Sequence, residues 1–196
     1  MPAMPLIGVL ALQGAFGAHQ AALELCSADT RQVRVPADLD GLDGLVMPGG
    51  ESTTMSRLLE TSGLFDPLAQ RFNDGLAVFG TCAGMILLAT DVIDGRSDQR
   101  SFAAIDIAVR RNGYGRQVDS FEADIAIDVP GALFDPPFHA VFIRAPKVEG
   151  VGANVTVLAQ HDGVPVLAKS GRIFVASFHP ELTPDHRLHS LFLQEV

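Results

Sequence analysis

Three short apolar runs in the first half of the chain each end in a turn built from small residues, and a helix-like segment follows each turn. The runs and their turns are residues 6–12 with Gln13-Gly14, residues 44–47 with Pro48-Gly49-Gly50, and residues 76–79 with the segment 80–84. Strands that alternate with helices predict a mostly parallel sheet with right-handed crossovers and helices on both faces. Ligands of such sheets bind beyond the carboxyl ends of the strands, so the glycine turns mark the expected site.

The remaining segments predict further elements of both kinds. Helices are expected over residues 15–25, through 57–60, over 85–89 and over 188–193. Further strands are expected over residues 32–35, 105–110, 125–129, 140–143, 155–160, 164–169 and 172–178. Ser52 or Thr53 is the expected N-cap of the helix that runs through residues 57–60.

The length and charge of the chain exclude several classes of protein. With 196 residues and no repeat, low-complexity tract or linker, residues 1–196 are expected to form one domain. The apolar runs are far shorter than the roughly 20 residues of a membrane span. Residues 1–6 show no signal-peptide pattern, so a cytoplasmic location is expected. The net charge of −9 argues against a nucleic-acid partner, because such proteins usually carry a basic face.

Residues 80–84, Gly-Thr-Cys-Ala-Gly, have the form G-x-C-x-G between an expected strand and an expected helix. This is the cysteine version of the nucleophile elbow, in which small flanking residues permit a sharp, strained turn. The positive end of the following helix favours the thiolate of Cys82. Cys82 is therefore the candidate nucleophile, and the alternative is a plain turn that holds a buried cysteine. The other cysteine, Cys26, has no metal-type or redox-type spacing to it, and no disulfide is indicated.

A cysteine nucleophile needs a histidine to move protons and an acid to orient that histidine. His179 and Glu181 follow an apolar strand, and residues two apart on an extended strand point to the same face. Glu181 is therefore expected to orient His179. Asp119 or Asp128 could instead serve as an acid earlier in the chain.

Four further histidines in the second half of the chain are not assigned to the site. His139 and His161 are expected at the surface or in loops. His186 and His189 follow the proposed catalytic segment, and we expect capping or surface roles for them.

An acyl-transfer site also needs hydrogen-bond donors for the oxyanion of the tetrahedral intermediate. The turn at Gly49-Gly50 follows a strand and opens a helix, so its amides are candidates. The amide of Ala83, directly after the nucleophile, is the second candidate. The expected oxyanion hole therefore consists of Gly50 and Ala83, although Gly49-Gly50 alone is also typical of an ordinary tight turn.

The motifs resemble those of the class I, triad-type glutamine amidotransferases and, more narrowly, the glutaminase subunits of pyridoxal 5′-phosphate synthase. The resemblance extends in family order over nearly the whole chain. The matching stretches are residues 7–14, 47–55, 79–84, 111–122, 142–146 and 177–183.

This resemblance implies a three-layer α/β/α domain that hydrolyses glutamine to glutamate and passes ammonia to a synthase subunit. The synthase builds pyridoxal 5′-phosphate, and up to twelve glutaminase subunits bind a synthase dodecamer. No cofactor or metal is implied for the glutaminase. The implied triad is Cys82, His179 and Glu181, and the implied glutamine contacts are Gly49, Gly50, Glu51, Arg111, Ile143 and Arg144.

The residues agree with a glutamine site, because a guanidinium of Arg111 or Arg144 suits a carboxylate and Glu51 suits an ammonium group. Two alternatives remain open. The ammonia could serve another synthase, as in histidine or nucleotide synthesis, although the segment 115–122 argues against this. The chain could also be a non-catalytic docking subunit, which an intact set of Cys82, His179 and Glu181 argues against.

Overall fold

The computed structural model describes residues 4–113, 120–132 and 134–196. The alternative acid Asp119 lies outside the described residues, as does part of the motif over residues 111–122.

Strands and helices alternate in the first half of the chain, and strands predominate in the second half. The helices are α1 (Phe16–Leu25), α2 (Ser52–Thr61), α3 (Phe65–Asn73), α4 (Ala83–Leu88) and α5 (Arg187–Leu193), with 3₁₀ helices at Pro36–Leu39 and Pro180–Leu182. The strands are β1 (Leu6–Leu10), β2 (Asp29–Val33), β3 (Gly44–Met47), β4 (Ala77–Thr81), β5 (Ala89–Val92), β6 (Ile105–Arg110), β7 (Ser120–Ile125), β8 (Phe138–Ile143), β9 (Lys147–Val151), β10 (Thr156–His161), β11 (Val164–Ser170) and β12 (Ile173–Ala176).

A seven-stranded sheet with the order β10-β11-β12-β4-β3-β1-β2 forms the centre of the molecule. The five strands from β12 to β2 are parallel, and β11 and β10 extend the sheet by antiparallel pairing. The four parallel strands β12, β4, β3 and β1 are apolar and almost wholly buried, as expected for strands covered on both faces, whereas the edge strand β2 is polar and only partly buried. The expectation of a mostly parallel sheet is confirmed.

Alternate residues of the central strands pack on opposite faces of this sheet. On β3, Leu45 and Met47 face one core and Val46 faces the other. The first core is covered by α2, α3, α4 and the three-stranded sheet β5-β6-β9. The second is covered by α1, α5 and the antiparallel pair β7-β8. The chain therefore has the three-layer α/β/α architecture that the resemblance implies.

Several boundaries differ from the sequence-based expectations. The strand expected at residues 125–129 is wrong, because β7 lies earlier, at Ser120–Ile125, and pairs along its whole length with β8. The strand expected at 32–35 begins and ends earlier, as β2. Helix α3 and strands β5 and β9 were not expected; α3 carries Pro67 in its first turn, where proline is tolerated.

The N-cap of α2 also differs from the expectation of Ser52 or Thr53. Glu51 takes this position, and its carboxylate accepts hydrogen bonds from the amides of Thr53 at 3.1 Å and Thr54 at 2.7 Å. A negative charge at this end of the helix also interacts favourably with the helix dipole. Among the residues that the structure describes, no helix has the length and apolar character needed to cross a membrane.

The turn after β4 requires glycine because backbones come into contact there. A Cβ atom on Gly84 would lie 2.1 Å from the carbonyl oxygen of Met47 at the end of β3. A Cβ atom on Gly80 would lie 2.6 Å from Leu88 and 2.8 Å from the backbone of Gly84. These contacts hold the start of α4 against the carboxyl ends of β3 and β4.

We expect Gly84→Ala to lower the free energy of unfolding by about 2–3 kcal/mol, since backbone atoms on both sides must move. Gly17→Ala is the matched control, because a Cβ atom on Gly17 in α1 would meet nothing within 4 Å. That change should leave stability equal or raise it by up to about 1 kcal/mol. Urea unfolding followed by circular dichroism measures both, and equal stabilities for the two variants would contradict the packing argument.

Candidate active site

The carboxyl ends of three adjacent parallel strands bring the candidate site residues together. Strand β4 lies between β3 and β12, with Met47 opposite Gly80 and Ala176 opposite Thr81. The segments that follow these strands carry Gly49-Gly50, Cys82 and His179. Residues far apart in the sequence therefore meet at one edge of the sheet, as the glycine turns predict.

Cys82 occupies the sharp turn between β4 and α4. Its backbone has φ 51° and ψ −105°, a strained conformation for a residue with a side chain. The amide of Cys82 donates to the carbonyl of Ala176 at 2.8 Å, and the sulfur lies 3.9 Å from the carbonyl oxygen of Ile143. The contacts with β12 and β8 therefore fix the position of the sulfur at the turn.

His179 is held by the strand pair β7-β8 and by the 3₁₀ helix that follows it. Its amide donates to the carbonyl of Val141 at 2.8 Å. Its Nδ1 lies 2.9 Å from Oε1 of Glu181. The two side chains meet through the turn Pro180–Leu182, not along an extended strand as the sequence argument assumed. Because Nδ1 is engaged, the other ring nitrogen, Nε2, is the one left for Cys82.

The backbone of Gly49 packs directly against this pair. A Cβ atom there would lie 2.4 Å from Cε1 of His179 and 3.2 Å from Cβ of Cys82. Only glycine therefore allows the segment after β3 to approach the cysteine and the histidine so closely.

The charges of His179 and Glu181 depend on each other. Burial alone lowers the pKa of His179, but hydrogen bonds and charge interactions with Cys82 and Glu181 outweigh it and raise the pKa to about 10. Burial alone raises the pKa of Glu181, but the hydrogen bond with His179 and the interaction with His19 outweigh it and hold the pKa well below its ordinary value. Near neutral pH the site therefore favours an imidazolium beside the sulfur and a buried carboxylate behind it.

A cleft of about 380 Å³ opens in front of Cys82. It includes all of the glutamine-contact positions that the resemblance implies, together with Cys82 and His179. Its lining residues are Gly14, Ala15, Gly49, Gly50, Glu51, Ser52, Cys82, Ile86, Arg111, Asn112, Ile143, Arg144 and His179. Neither Ile86 nor Asn112 was singled out in the sequence, since neither belongs to a recognisable chemical motif.

The carboxylate of Glu51 faces this cleft while it caps α2. Besides the two amides, it accepts a hydrogen bond from the hydroxyl of Thr54 at 2.8 Å. A carboxylate has about four acceptor positions, so capacity remains for one more donor. Burial raises the pKa of Glu51, but the hydrogen bonds from Thr54 and Thr53 outweigh it and lower the pKa overall. The amide of Glu51 donates to Gln13 at 3.0 Å, which anchors the turn after β3.

Two arginines line the same cleft as Glu51. Arg111 is fixed by a hydrogen bond from Nη1 to the hydroxyl of Thr53 at 2.9 Å and from its amide to Asp94 at 2.7 Å. Arg144 directly follows β8 and has a φ of 43°. Two positive groups and one carboxylate around a cleft of this size suit a small amino acid with both an ammonium and a carboxylate.

Two histidines that the sequence does not mark as site residues lie behind Glu181. His19 on α1 and His189 on α5 are both fully buried, so the surface or capping role expected for His189 is wrong. The spacing of His19 along the helix indicates that it is buried, because it shares the buried face of α1 with Ala22 and Leu23. The alternative acid Asp128 is exposed, and its amide pairs with Leu158 on the edge strand β10, whereas Glu181 contacts His179.

The model of the SNO glutamine amidotransferase family matches residues 9–196 of the chain. A protein of Salinispora arenicola (strain CNS-205) is 52% identical over 197 residues, which cover 98% of this chain and 96% of that protein. A protein of Streptomyces coelicolor is 54% identical over 192 residues, which cover 98% and 94%. Both relatives carry the name pyridoxal 5′-phosphate synthase subunit PdxT.

Solved structures show the same fold. A crystal structure of a glutamine amidotransferase superposes with a TM-score of 0.89 and 44% identity, and the match covers 96% of this chain and 97% of that one. The structure of PurLQS from Thermotoga maritima superposes with a TM-score of 0.64 at 17% identity and covers 98% of each chain. The second likeness concerns the fold alone.

The buried carboxylate of Glu181 gives the stability a defined pH dependence. Because its pKa in the folded chain lies below the ordinary value of 4.5, its contribution is complete above that value and is lost as the pH falls. Each unit of this lowering contributes about 1.4 kcal/mol. We therefore expect the free energy of unfolding to fall more steeply between about pH 5 and pH 3 for the wild type than for Glu181→Gln.

Urea unfolding at a series of pH values measures this difference. Glu24→Gln, which changes an exposed glutamate, is the control and should retain the steep wild-type slope. Parallel curves for the wild type and Glu181→Gln would show that Glu181 does not titrate as the buried geometry requires.

Proposed function

Since the chain belongs to the SNO glutamine amidotransferase family, we propose that it is the glutaminase subunit of a pyridoxal 5′-phosphate synthase. It hydrolyses L-glutamine to L-glutamate and ammonia, and it delivers the ammonia to the subunit that makes pyridoxal 5′-phosphate. The contact of His179 with Glu181 beside Cys82, in a cleft with two arginines and a glutamate, is the observation that carries this proposal. The names of the relatives, at 52% and 54% identity over nearly the whole chain, are the basis for proposing this synthase as the acceptor of the ammonia.

In the first half-reaction, the thiolate of Cys82 attacks the side-chain amide carbon of glutamine. The resulting tetrahedral intermediate collapses as the carbon–nitrogen bond breaks and a thioester forms. His179, which carries a proton on Nε2, gives that proton to the departing nitrogen so that ammonia leaves. The raised pKa of His179 supports this role, because the imidazolium is present before the attack.

In the second half-reaction, water hydrolyses the thioester. His179 is now neutral at Nε2 and accepts a proton from the water as the oxygen attacks the thioester carbon. The carbon–sulfur bond then breaks, glutamate is released and the sulfur of Cys82 is regenerated. Glu181 keeps the imidazole ring in one orientation and stabilises its charged form in both half-reactions.

The oxyanion of each tetrahedral intermediate would be stabilised by the backbone amides of Gly50 and Ala83. Ala83 is the first residue of α4, so its amide has no partner within the helix. The segment at Gly49 lies against both Cys82 and His179, which supports a donor from this segment next to the reacting carbon.

The substrate would be held by groups that match its two charges. Arg111 and Arg144 supply positive charge for the α-carboxylate, and Glu51 offers its remaining acceptor position to the ammonium group. The backbone around Gly49 and Ile143 would complete the contacts, because both residues line the cleft beside the sulfur.

The partner in this proposal is the synthase subunit that accepts the ammonia. The family resemblance supports an assembly of up to twelve copies of this chain on twelve synthase subunits. The cytoplasmic location expected from the sequence also stays a prediction.

The proposal predicts that glutamate release in the presence of the synthase subunit depends on Cys82. We expect Cys82→Ala to lower kcat by at least about a thousandfold, since the nucleophile has no substitute. Cys26→Ala is the matched control, because Cys26 lies at the end of α1 and does not line the cleft. Its activity should equal that of the wild type.

Retention of even a tenth of the activity in Cys82→Ala would exclude Cys82 as the nucleophile. A wild type that stays inactive with the synthase subunit would show that the acceptor is wrong or that the chain is a docking subunit. Neither result would change the assignment of the fold.

A further inference from the structure

A line of polar side chains continues from Glu181 into the core between the sheet and helices α1 and α5. His19 on α1 and His189 on α5 are both 0% exposed. Nε2 of His19 lies 3.2 Å from Oε2 of Glu181, and Nδ1 of His19 lies 3.0 Å from Nε2 of His189. The hydroxyl of Thr81, at the end of β4, lies 3.3 Å from the same Nε2 of His19.

We propose that His19 is a positioning residue for the triad, and that its Nε2–H group holds the oxygen of Glu181 that does not bind His179. His179 takes Oε1 at 2.9 Å, so the two histidines hold the carboxylate from both of its oxygens. The inference rests on the proposed function, since it assigns His19 a part in the same reaction.

The carboxylate of Glu181 determines which ring nitrogens of His19 and His189 carry protons. The ionised carboxylate of Glu181 can only accept, so the nitrogen that faces it, Nε2 of His19, must carry hydrogen. A neutral His19 then has a bare Nδ1, which must accept from Nε2–H of His189. Nδ1 of His189 is left bare, and it has no hydrogen-bond partner among the described residues.

A neutral His189 is consistent with its surroundings. Burial is the largest cause that lowers its pKa, to about 3. Two atoms of the line have no hydrogen-bond partner among the described residues, Nδ1 of His189 and Oε2 of Glu181. In this arrangement both are acceptors, so no N–H group of the line is buried without an acceptor. The titratable groups that interact with Glu181 are His179 in the site, His19 on α1 and His189 on α5, and His186 lies next to His189.

The contact between Nε2 of His19 and Oε2 of Glu181, at 3.2 Å, is close enough for an ion pair but does not have hydrogen-bond geometry. Oε2 accepts no hydrogen bond from any described residue, so the Nε2–H group of His19 is the donor placed to approach it. Without His19, this oxygen would be a buried charge with no donor, a condition that proteins avoid because its desolvation is uncompensated. A purely space-filling role for His19 is the competing explanation, and the two roles predict different pH profiles.

The test compares His19→Leu with His19→Gln in the complex with the synthase subunit. Leucine fills similar space but removes the N–H group that faces Oε2 at 3.2 Å, so the carboxylate loses this interaction and the pKa of Glu181 rises. We expect kcat to fall by about 10- to 100-fold, the range seen when a group that orients a metal-binding histidine is removed. KM should change less than threefold, roughly, because His19 does not line the cleft. The acid limb of kcat/KM should move to higher pH.

The glutamine side chain in His19→Gln places an N–H donor near the position of Nε2 and should restore most of kcat and the wild-type acid limb. Leu23→Ala is the control for general loosening of α1, since Leu23 is fully buried on the same helix face. It should lower stability and leave the acid limb unchanged. A wild-type acid limb in His19→Leu, or an equal shift in Leu23→Ala, would overturn the proposal.

A measurement on the wild type alone keeps the proposal testable if His19→Leu does not fold. Long-range ¹H–¹⁵N spectra of the histidine rings distinguish the two tautomers, and we expect the proton of His19 on Nε2. A proton on Nδ1 alone would overturn the proposal. This result does not depend on glutaminase activity, whereas a wild type that is inactive with the synthase subunit would count against the proposed function only.

Discussion

The buried carboxylate of Glu181 is the interaction on which the arrangement of the site depends. A charge in the core is stable only when donors surround it. One oxygen faces His179 and the other faces His19, so the carboxylate links the segment after β12 to helix α1. This pairing orients the imidazole and favours its charged form, which in the proposed mechanism supplies the proton that the departing ammonia needs.

The parallel sheet brings the reacting groups to one edge, and glycine allows them to come into contact there. Gly84 lies on the carbonyl of Met47, and Gly49 lies on the ring of His179. A side chain at either position would separate β3 from the turn that carries Cys82. The close backbone packing that fixes the fold at this edge is therefore the same packing that shapes the cleft.

Site residues could be recognised from the sequence where the motif that marks them is short and continuous. The elbow around Cys82 and the pair His179 and Glu181 could be recognised because each lies within a few consecutive residues. His19 and His189 could not, because a polar residue in a helix pattern suggests a surface position. Only the folded chain shows that α1 places His19 against the carboxylate of Glu181 and that α5 places His189 against His19. Strand β7 was misplaced for a related reason, since its pairing with β8 outweighs the apolar pattern of residues 125–129.

The central claim is that Cys82 forms a covalent thioester with the substrate, and trapping this intermediate tests it most directly. The wild type would be mixed with glutamine and the synthase subunit, quenched in acid during turnover, digested and examined by mass spectrometry. The account predicts a γ-glutamyl adduct on the peptide that contains Cys82 and none on the peptide that contains Cys26. Glutamate release with no adduct on Cys82, or with an adduct on another residue, would contradict it.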